Sequence, residues 1–290
     1  MGQYHVVVNL SKKEYLYPRQ FNDGVKLMEF GASGMGTMFA LGWLLGNDWN
    51  GDHVTIVGDY GTHEDHNPEF LQSIGINLGL GEFNLYDIVT ASYGAKPTAA
   101  DFKIETVTPE GKTVKITDKE ALATAKLFKD VSERTIDAMV ATGNISFPDR
   151  GNGFTRFEDV VKSASKQFSI IVNEENGEAL DPRLFGDSAR LLSFASEGFG
   201  GTMTALAVLL GSSCKGGGRG GGDARAKPET NQDEILGSWA DCRISIKKRS
   251  EMKYCKDISL AVRDILVYNQ EATYETDRSG NVKRKFPDWT

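Results

Sequence analysis

The chain is poor in cysteine, histidine and proline, with three, four and eight among its 290 residues. Cys214, Cys242 and Cys255 all stand in the C-terminal half without a CxxC pair. An odd and sparse set of this kind suits a reducing cytoplasm better than a disulfide framework. No run of apolar residues reaches the roughly 18 that a membrane span needs, which excludes a transmembrane helix as an expectation. The first residues, Met1-Gly2-Gln3-Tyr4-His5, open straight into a strand-like run rather than an apolar signal core. GxSxG, HExxH and P-loop patterns are absent, so nucleophilic, zinc and Walker-type chemistry have no signature here. The sequence points to no cofactor and no bound metal, and to an enzyme only weakly.

What is present is ordinary globular material: 40% hydrophobic and 25% charged residues. At this length it suffices for two cores. The net charge of −7 is unevenly placed. Residues 1–163 hold 15 Lys+Arg against 22 Asp+Glu, whereas residues 164–290 hold 18 of each. The second half carries basic runs, Lys247-Lys248-Arg249 and Lys283-Arg284-Lys285. An acidic half and a locally basic half could associate head to tail in a homo-oligomer, or remain two solvated faces.

An internal repeat organises the rest. Residues 3–34 align without gaps to 167–198 at an offset of 164. Gln3-Tyr4-His5-Val6-Val7-Val8-Asn9 faces Gln167-Phe168-Ser169-Ile170-Ile171-Val172-Asn173. Leu16, Pro18, Arg19, Phe21 and Asp23 recur as Leu180, Pro182, Arg183, Phe185 and Asp187. Gly36-Thr37-Met38 recurs as Gly201-Thr202-Met203, Trp49 as Trp239, and Lys129-Asp130-Val131-Ser132 as Lys256-Asp257-Ile258-Ser259. Ordered blocks of this number indicate duplication. The predicted organisation is a first unit at 1–163 with an insertion near 60–127, and a second at 164–290 with a Gly-rich insertion near 212–238. The fold class is α+β, each unit a small sheet with two helices, the two units related by a pseudo-twofold axis.

Within a unit, His5–Asn9 and Val54–Val57 read as strands, and the polar/apolar alternation of Val25–Phe30 as another. Thr37–Leu45 reads as a helix apolar nearly all round and therefore buried. Ser132 and Ser259 stand where N-caps of the helices Glu133–Ala141 and Leu260–Tyr268 are expected. Their inward faces are Ile136, Met139 and Val140 in the first, and Val262, Ile265 and Leu266 in the second. The first insertion is predicted to hold a hairpin, Phe102–Thr108 with Thr113–Thr117, and a helix near Lys119–Lys126.

Three segments are candidates for chemistry. The glycines of Gly31-Ala32-Ser33-Gly34-Met35-Gly36-Thr37 precede a helix, where converging N–H groups favour an anion, with Ser33, Gly34, Gly36 and Thr37 as the contacts. The alternative is a tight structural turn, and the second unit carries Glu197 where a phosphate would be repelled. Lys215-Gly216-Gly217-Gly218-Arg219-Gly220-Gly221-Gly222-Asp223 lacks the interleaved aromatics of nucleic-acid segments. An ordered contact loop using Lys215, Arg219 and Asp223, with Lys247, Lys248 and Arg249 as further interaction residues, is preferred over a small-anion site. His63 and His66 could ligate a metal. In a polar loop they equally suit a solvated surface. The recurring Asn9/Asn173, Arg19/Arg183 and Asp23/Asp187 suggest an Arg–Asp bridge with an Asn capping a loop.

The residues Met1-Gly2-Gln3-Tyr4, Val8-Asn9-Leu10, Glu14-Tyr15-Leu16, Asp23-Gly24, Lys26-Leu27, Glu29-Phe30-Gly31 and Gly36-Thr37-Met38 resemble a family of uncharacterised bacterial proteins. That resemblance extends to Gly58-Asp59-Tyr60 in the first unit, and to Arg219-Gly220-Gly221-Gly222-Asp223 and Gly237-Ser238-Trp239-Ala240-Asp241 in the second. It implies no activity, and neither unit holds the full set. The expectation is a non-enzymatic binding or self-assembling protein with an unknown partner. The alternative is a nucleotide- or phosphate-binding enzyme using Gly31–Thr37.

Overall fold

Strand β1, His5–Asn9, is buried at every position, which is why it reads as a continuous apolar run. Val7 faces one core; Val6 and Val8 face another on the opposite side of the sheet. The computed structural model describes residues 2–31, 36–76, 84–91, 104–107, 113–116, 127–141, 170–185, 199–220, 222–227, 230–270, 273–276 and 282–285. The expected helix near Lys119–Lys126 lies outside them.

The fold is mixed α+β around an eight-stranded mixed sheet. The strands are β1, β2 (Glu14–Leu16), β3 (Asp52–Gly58), β6 (Lys129–Asp130), β7 (Ile170–Asn173), β8 (Glu178–Leu180), β9 (Cys242–Lys247) and β10 (Lys256–Asp257). Their order is β10-β8-β7-β9-β3-β1-β2-β6. β4 (Ile104–Val107) pairs with β5 (Thr113–Ile116) as a separate antiparallel hairpin, within a residue or two of the ends read from sequence. A second separate hairpin joins β11 (Thr273–Thr276) to β12 (Val282–Lys285).

The registers on the two sides of the sheet match. Val7 faces Leu16 and Asn9 faces Glu14; likewise Ile171 faces Leu180 and Asn173 faces Glu178. Val6 faces Val57, and Ile170 faces Lys247. The outermost strands β6 and β10 both add in parallel. In the middle, β3 and β9 run antiparallel with His53 opposite Arg243, flanked by the pairs Asp52–Ile244 and Val54–Cys242. Side-chain contacts recur in the same way. Trp49 Nε1 donates to Glu14 and Trp239 Nε1 to Glu178, both at 2.9 Å. Tyr17 N donates to Ser132 Oγ and Asp181 N to Ser259 Oγ, both at 2.8 Å.

The helices are α1 (Leu27–Gly31), α2 (Thr37–Leu45), α3 (Pro68–Ser73), α4 (Leu85–Thr90), α5 (Ser132–Ala141), α6 (Phe199–Leu210) and α7 (Ser259–Gln270). The larger core joins α1, α2, α5, α6 and α7 to one face of the sheet, with Trp49 and Trp239 fully buried in it. α3 and α4 cover the other face of the first half around Val6, Val8 and Val57. The 3-10 segment Arg249–Tyr254 supplies Met252 to cover Ile170 and Val172 in the second half. Among the described residues, no helix is long and apolar enough to cross a membrane.

Three sequence expectations need correction. Val25–Phe30 is not a strand: Leu27, Phe30 and Gly31 are buried at helical spacing and form α1. Close packing of Gly31 against Ala207, with a would-be Cβ only 3.1 Å away, favours the helix over the alternating pattern. Ser132 and Ser259 turn their hydroxyls to Tyr17 and Asp181 rather than to their own helices, so they staple neighbouring segments. In α5 the buried face is Ser132, Thr135 and Met139, and Val140 is 40% exposed. Val262, Ile265 and Leu266 are buried in α7 as read.

Candidate functional site

A buried polar cluster lies where the start of β1 meets the end of β3 and the Gly-rich loop. His5 and Gln3 are both fully buried on β1 and just before it. His5 sits in a valine run because its ring packs against the 3-10 turn Ser212–Cys214, where Nε2 lies 3.2 Å from Ser213 Oγ. Asp223 Oδ1 is 3.5 Å from the same nitrogen. With the Gln3 carboxamide oriented to satisfy both ends, its nitrogen donates to Asp223 Oδ2 at 2.8 Å. Its oxygen then accepts from Tyr60 N and Ser213 Oγ, each at 3.1 Å. This network assigns the His5 proton to Nε2, and Nδ1 has no partner. Burial pushes the His5 imidazole down to about 3, so it is neutral.

The Gly-rich loop is ordered by its own acid. Asp223 Oδ2 accepts from Arg219 N at 2.8 Å and Gly220 N at 2.6 Å, closing a tight turn. Burial raises the Asp223 carboxyl, opposed by these N–H donors. Glycine is required where the loop touches β1: a Cβ on Gly220 would stand 2.5 Å from Gln3 Cβ. Arg219 then reaches out to Asp65 with both Nη atoms, at 2.5 and 2.7 Å. Lys215 Nζ donates to Asp65 O at 2.7 Å. Next along the chain, His66 Nδ1 lies 3.1 Å from Asp241 Oδ2, both buried. Burial alone would raise the Asp241 carboxyl, but His66 and Asn67 N hold it below its usual range.

The contacts of His5 and Gln3 with Ser213 and Asp223, of Arg219 and Lys215 with Asp65, and of His66 with Asp241 join the first half of the chain to the second. The sequence segments Gly2-Gln3-Tyr4, Gly58-Asp59-Tyr60 and Arg219–Asp223 therefore converge on one place, although they are divided between the halves.

The chemical content of this cluster is restrictive. Ser213 and Asp223 share one nitrogen of His5, whereas a nucleophile–base–acid relay needs them on opposite nitrogens. His5 and Ser213 are both without exposed surface. Burial raises the Cys214 thiol far above its usual range, so it is inert.

Comparison of the chain with family models, with curated proteins and with solved structures finds no match.

The other predicted positions are placed as follows. Ser33 and Gly34 lie outside the described residues. Gly36 adopts φ +58° before α2, and Thr37 donates to Asp23 Oδ2 from both N (2.7 Å) and Oγ1 (2.8 Å). A carboxylate of the chain thus occupies the anion position at the start of α2. His63 lies in a short 3-10 turn and His66 faces Asp241; among the described residues, no three metal-ligating side chains cluster. Lys247 pairs with Glu174 at 3.1 Å, Arg249 grips Asp181 with two nitrogens, and Lys248 is exposed. Asn9 and Asn173 do cap loops, accepting from Lys12 N at 2.9 Å and Glu175 N at 3.0 Å. Gln3 and Asp241 enter the sequence reading only through the repeat and the resemblance, and none of Gln3, His5, Ser213, Asp65 and Asp241 is among its site candidates. The recurrence of Gln3 as Gln167, and a histidine inside a valine strand, were the available signals.

Proposed function

We propose that this chain is a non-enzymatic binding protein in which two diverged copies of one α/β unit, related by a pseudo-twofold axis between β3 and β9, are locked into a single body. One observation carries the reading: the polar groups that could have been catalytic or adhesive are spent on joining the halves. His5, Gln3, Ser213 and Asp223 are sealed, Arg219 and Lys215 are bound to the Asp65 segment, and Asp23 fills the start of α2. The matched registers and the paired contacts of Trp49 with Glu14 and Trp239 with Glu178 support the duplication. Two of the basic side chains of the Lys247–Arg249 run are met within the second half, Lys247 by Glu174 and Arg249 by Asp181, and Arg219 is met by Asp65 of the first, which argues against their use between chains.

Light scattering on purified protein across salt concentration tests this. A monomer mass at every salt concentration is expected. Larger species that dissolve as salt screens charge would overturn the reading in favour of self-assembly.

A further inference from the structure

The chain contains three Asn-Gly pairs, Asn50-Gly51, Asn152-Gly153 and Asn176-Gly177. Asn152-Gly153 lies outside the described residues. In such a pair the glycine nitrogen can attack the preceding side-chain carboxamide, because glycine has no side chain to hinder the ring that forms. The two described pairs are alike in exposure and backbone. Both asparagines are exposed, and both glycines are left-handed, with φ +81° at Gly51 and +63° at Gly177. Hydrogen bonding separates them.

Asn50-Gly51 precedes β3 and is held at two points by β9 of the second half. Asn50 Oδ1 accepts from Ile246 N at 2.8 Å, and Gly51 N donates to Ile244 O at 2.8 Å. The carboxamide and the nitrogen that would attack it are each engaged by a strand. Attack needs both bonds to break, at the seam where Asp52 of β3 pairs with Ile244 of β9.

Asn176-Gly177 ends the turn between β7 and β8, where Asn173 stands opposite Glu178. The rest of that turn is tied down. Asn173 Oδ1 accepts from Glu175 N at 3.0 Å and from Asn176 N at 3.2 Å. Glu174 accepts from Ser245 Oγ at 2.6 Å, and Glu175 pairs with His53 Nε2 at 3.1 Å. Among the described residues, the Asn176 carboxamide and the Gly177 N–H have no hydrogen-bond partner. A Cβ on Gly177 would meet nothing within 4 Å. At the matching register position of the first half stands Lys12, whose Nζ is anchored 2.8 Å from Asp52. Cys242 takes the place of Asp52 in the second half, so Asn176 lacks that anchor.

We infer that Asn176 is a site of spontaneous modification by water, where the folded chain converts asparagine to aspartate and isoaspartate, and that the seam protects Asn50. The nitrogen of Gly177 loses its proton to solvent base and attacks Asn176 Cγ. The Cγ–Nδ2 bond breaks, Nδ2 takes a proton from water and leaves as ammonia, and a cyclic imide remains. Water then opens the imide. Addition at Cγ leaves aspartate in a normal backbone. Addition at the backbone carbonyl carbon routes the chain through Cγ and leaves isoaspartate. Nothing is oxidised or reduced, and water is the co-reactant.

Isoaspartate adds one carbon to the backbone just before Gly177, whose carbonyl accepts from Lys256 N at 2.8 Å. That bond seats β10 on the sheet edge beside β8. The modification therefore releases β10. The inference is independent of what the chain binds.

The test incubates the folded chain and the urea-unfolded chain side by side at mildly alkaline pH. Peptide maps by mass spectrometry follow the amide-to-acid change at Asn50 and Asn176. In the folded chain Asn176 is expected to convert at least tenfold faster than Asn50, and in urea the two are expected to agree within threefold. The folded rate is expected to rise with pH, because Gly177 N must lose its proton. Asn176→Gln would need a larger, slower-forming ring and removes no side-chain hydrogen bond among the described residues. It is expected to fold and to stay unmodified at this position. Amide exchange at Lys256 is expected to quicken in isoaspartate-bearing protein, and to stay at its starting rate in Asn176→Gln after the same incubation. Equal folded rates at the two asparagines, or conversion of Asn176 only in urea, overturns the inference. Unchanged Lys256 exchange in isoaspartate-bearing protein overturns the release of β10.

Discussion

Arg219 holds Asp65 through both ends of its guanidinium, at 2.5 and 2.7 Å, with the aspartate side chain only 3% exposed. This pair ties the Gly-rich loop of the second half to the 3-10 turn that follows β3. The arginine is 35% exposed, so solvent screens part of its attraction. Removing it leaves the carboxylate buried against Thr62 N alone among its charged or N–H donors on that turn. Arg219→Ala is expected to destabilise by roughly 1–3 kcal/mol, and Arg219→Lys by somewhat less because the bidentate geometry is lost. Urea denaturation measures both. Equal midpoints for wild type and Arg219→Ala would show that the loop does not lock the halves.

The pH dependence of stability follows from His5. Its folded value, about 3, lies below its ordinary value of 6.5. The unfolded chain therefore takes up a proton first. The stabilisation from neutral His5 is complete above about 6.5 and is lost as pH falls from there toward 3. Asp223 and Asp59 act in the opposite direction, because their raised carboxyls protonate earlier in the folded chain. His53 acts with His5, since burial lowers it despite Glu175. His5→Gln keeps a donor for Ser213 and removes the titration. It is expected to flatten the stability–pH curve between pH 6.5 and 4, by roughly 2–4 kcal/mol over that span. An unchanged slope would mean that His5 is not the controlling group.

Most strands and helices that carry apolar periodicity are legible in the sequence; Val25–Phe30 is the exception, since its alternation reads as a strand while Leu27–Gly31 is helical. Thr37–Leu45 was read with the same ends as α2, and His5–Asn9 as β1. The short strands β2, β6, β8 and β10 were not, because two or three residues hold no periodic signal and form only by pairing with a neighbour. Ser132 reads as an N-cap in the sequence, but a serine at the start of a helix offers its hydroxyl to any nearby N–H. Tyr17 N, remote in sequence, takes it. The site was least legible. Gly58-Asp59-Tyr60 and Arg219–Asp223 were visible as motifs, but their meeting around Gln3 depends on a loop from one half crossing onto a strand of the other.

The glycines of that loop separate steric from conformational requirements. Gly220 leaves no room for a side chain, since a Cβ would stand 2.5 Å from Gln3 Cβ and 2.9 Å from Gln3 N. Gly216 has φ +73° and open space around it. Gly216→Ala is expected to cost about 1 kcal/mol, from left-handed backbone strain alone. Gly220→Ala is expected to cost about 1–3 kcal/mol, because the loop must lift off β1. Amide exchange at Tyr60 N, which Gln3 holds, is expected to quicken only in Gly220→Ala. Quickening in both would mean that the loop responds to backbone strain rather than to contact.

Asn9 and Asn173 occupy matching register positions, yet only one has a full set of partners. Asn9 Nδ2 donates to Asp52 Oδ2 at 2.8 Å, whereas buried Asn173 Nδ2 has no hydrogen-bond partner. In the matching registers the position of Asp52 is taken by Cys242. Burial pushes the Cys242 thiol up to about 11, with the Asn173 amide acting in the opposite direction, so it stays protonated and a weak acceptor. An aspartate there would restore the acceptor but add charge beside Asp241 and Glu175, both of which already act on this thiol. Asparagine restores the acceptor without that cost, and its own amide can face Glu175. Cys242→Asn is therefore expected to stabilise by about 1 kcal/mol, and Cys242→Asp by less. The converse change, Asp52→Cys, is expected to cost about 1 kcal/mol by orphaning Asn9, together with the Lys12 pair at 2.8 Å. Denaturant midpoints of the three variants decide the matter. If Cys242→Asn falls below wild type while Asp52→Cys is neutral, the two asparagines do not share one structural role, and the equivalence of the two halves at this position fails.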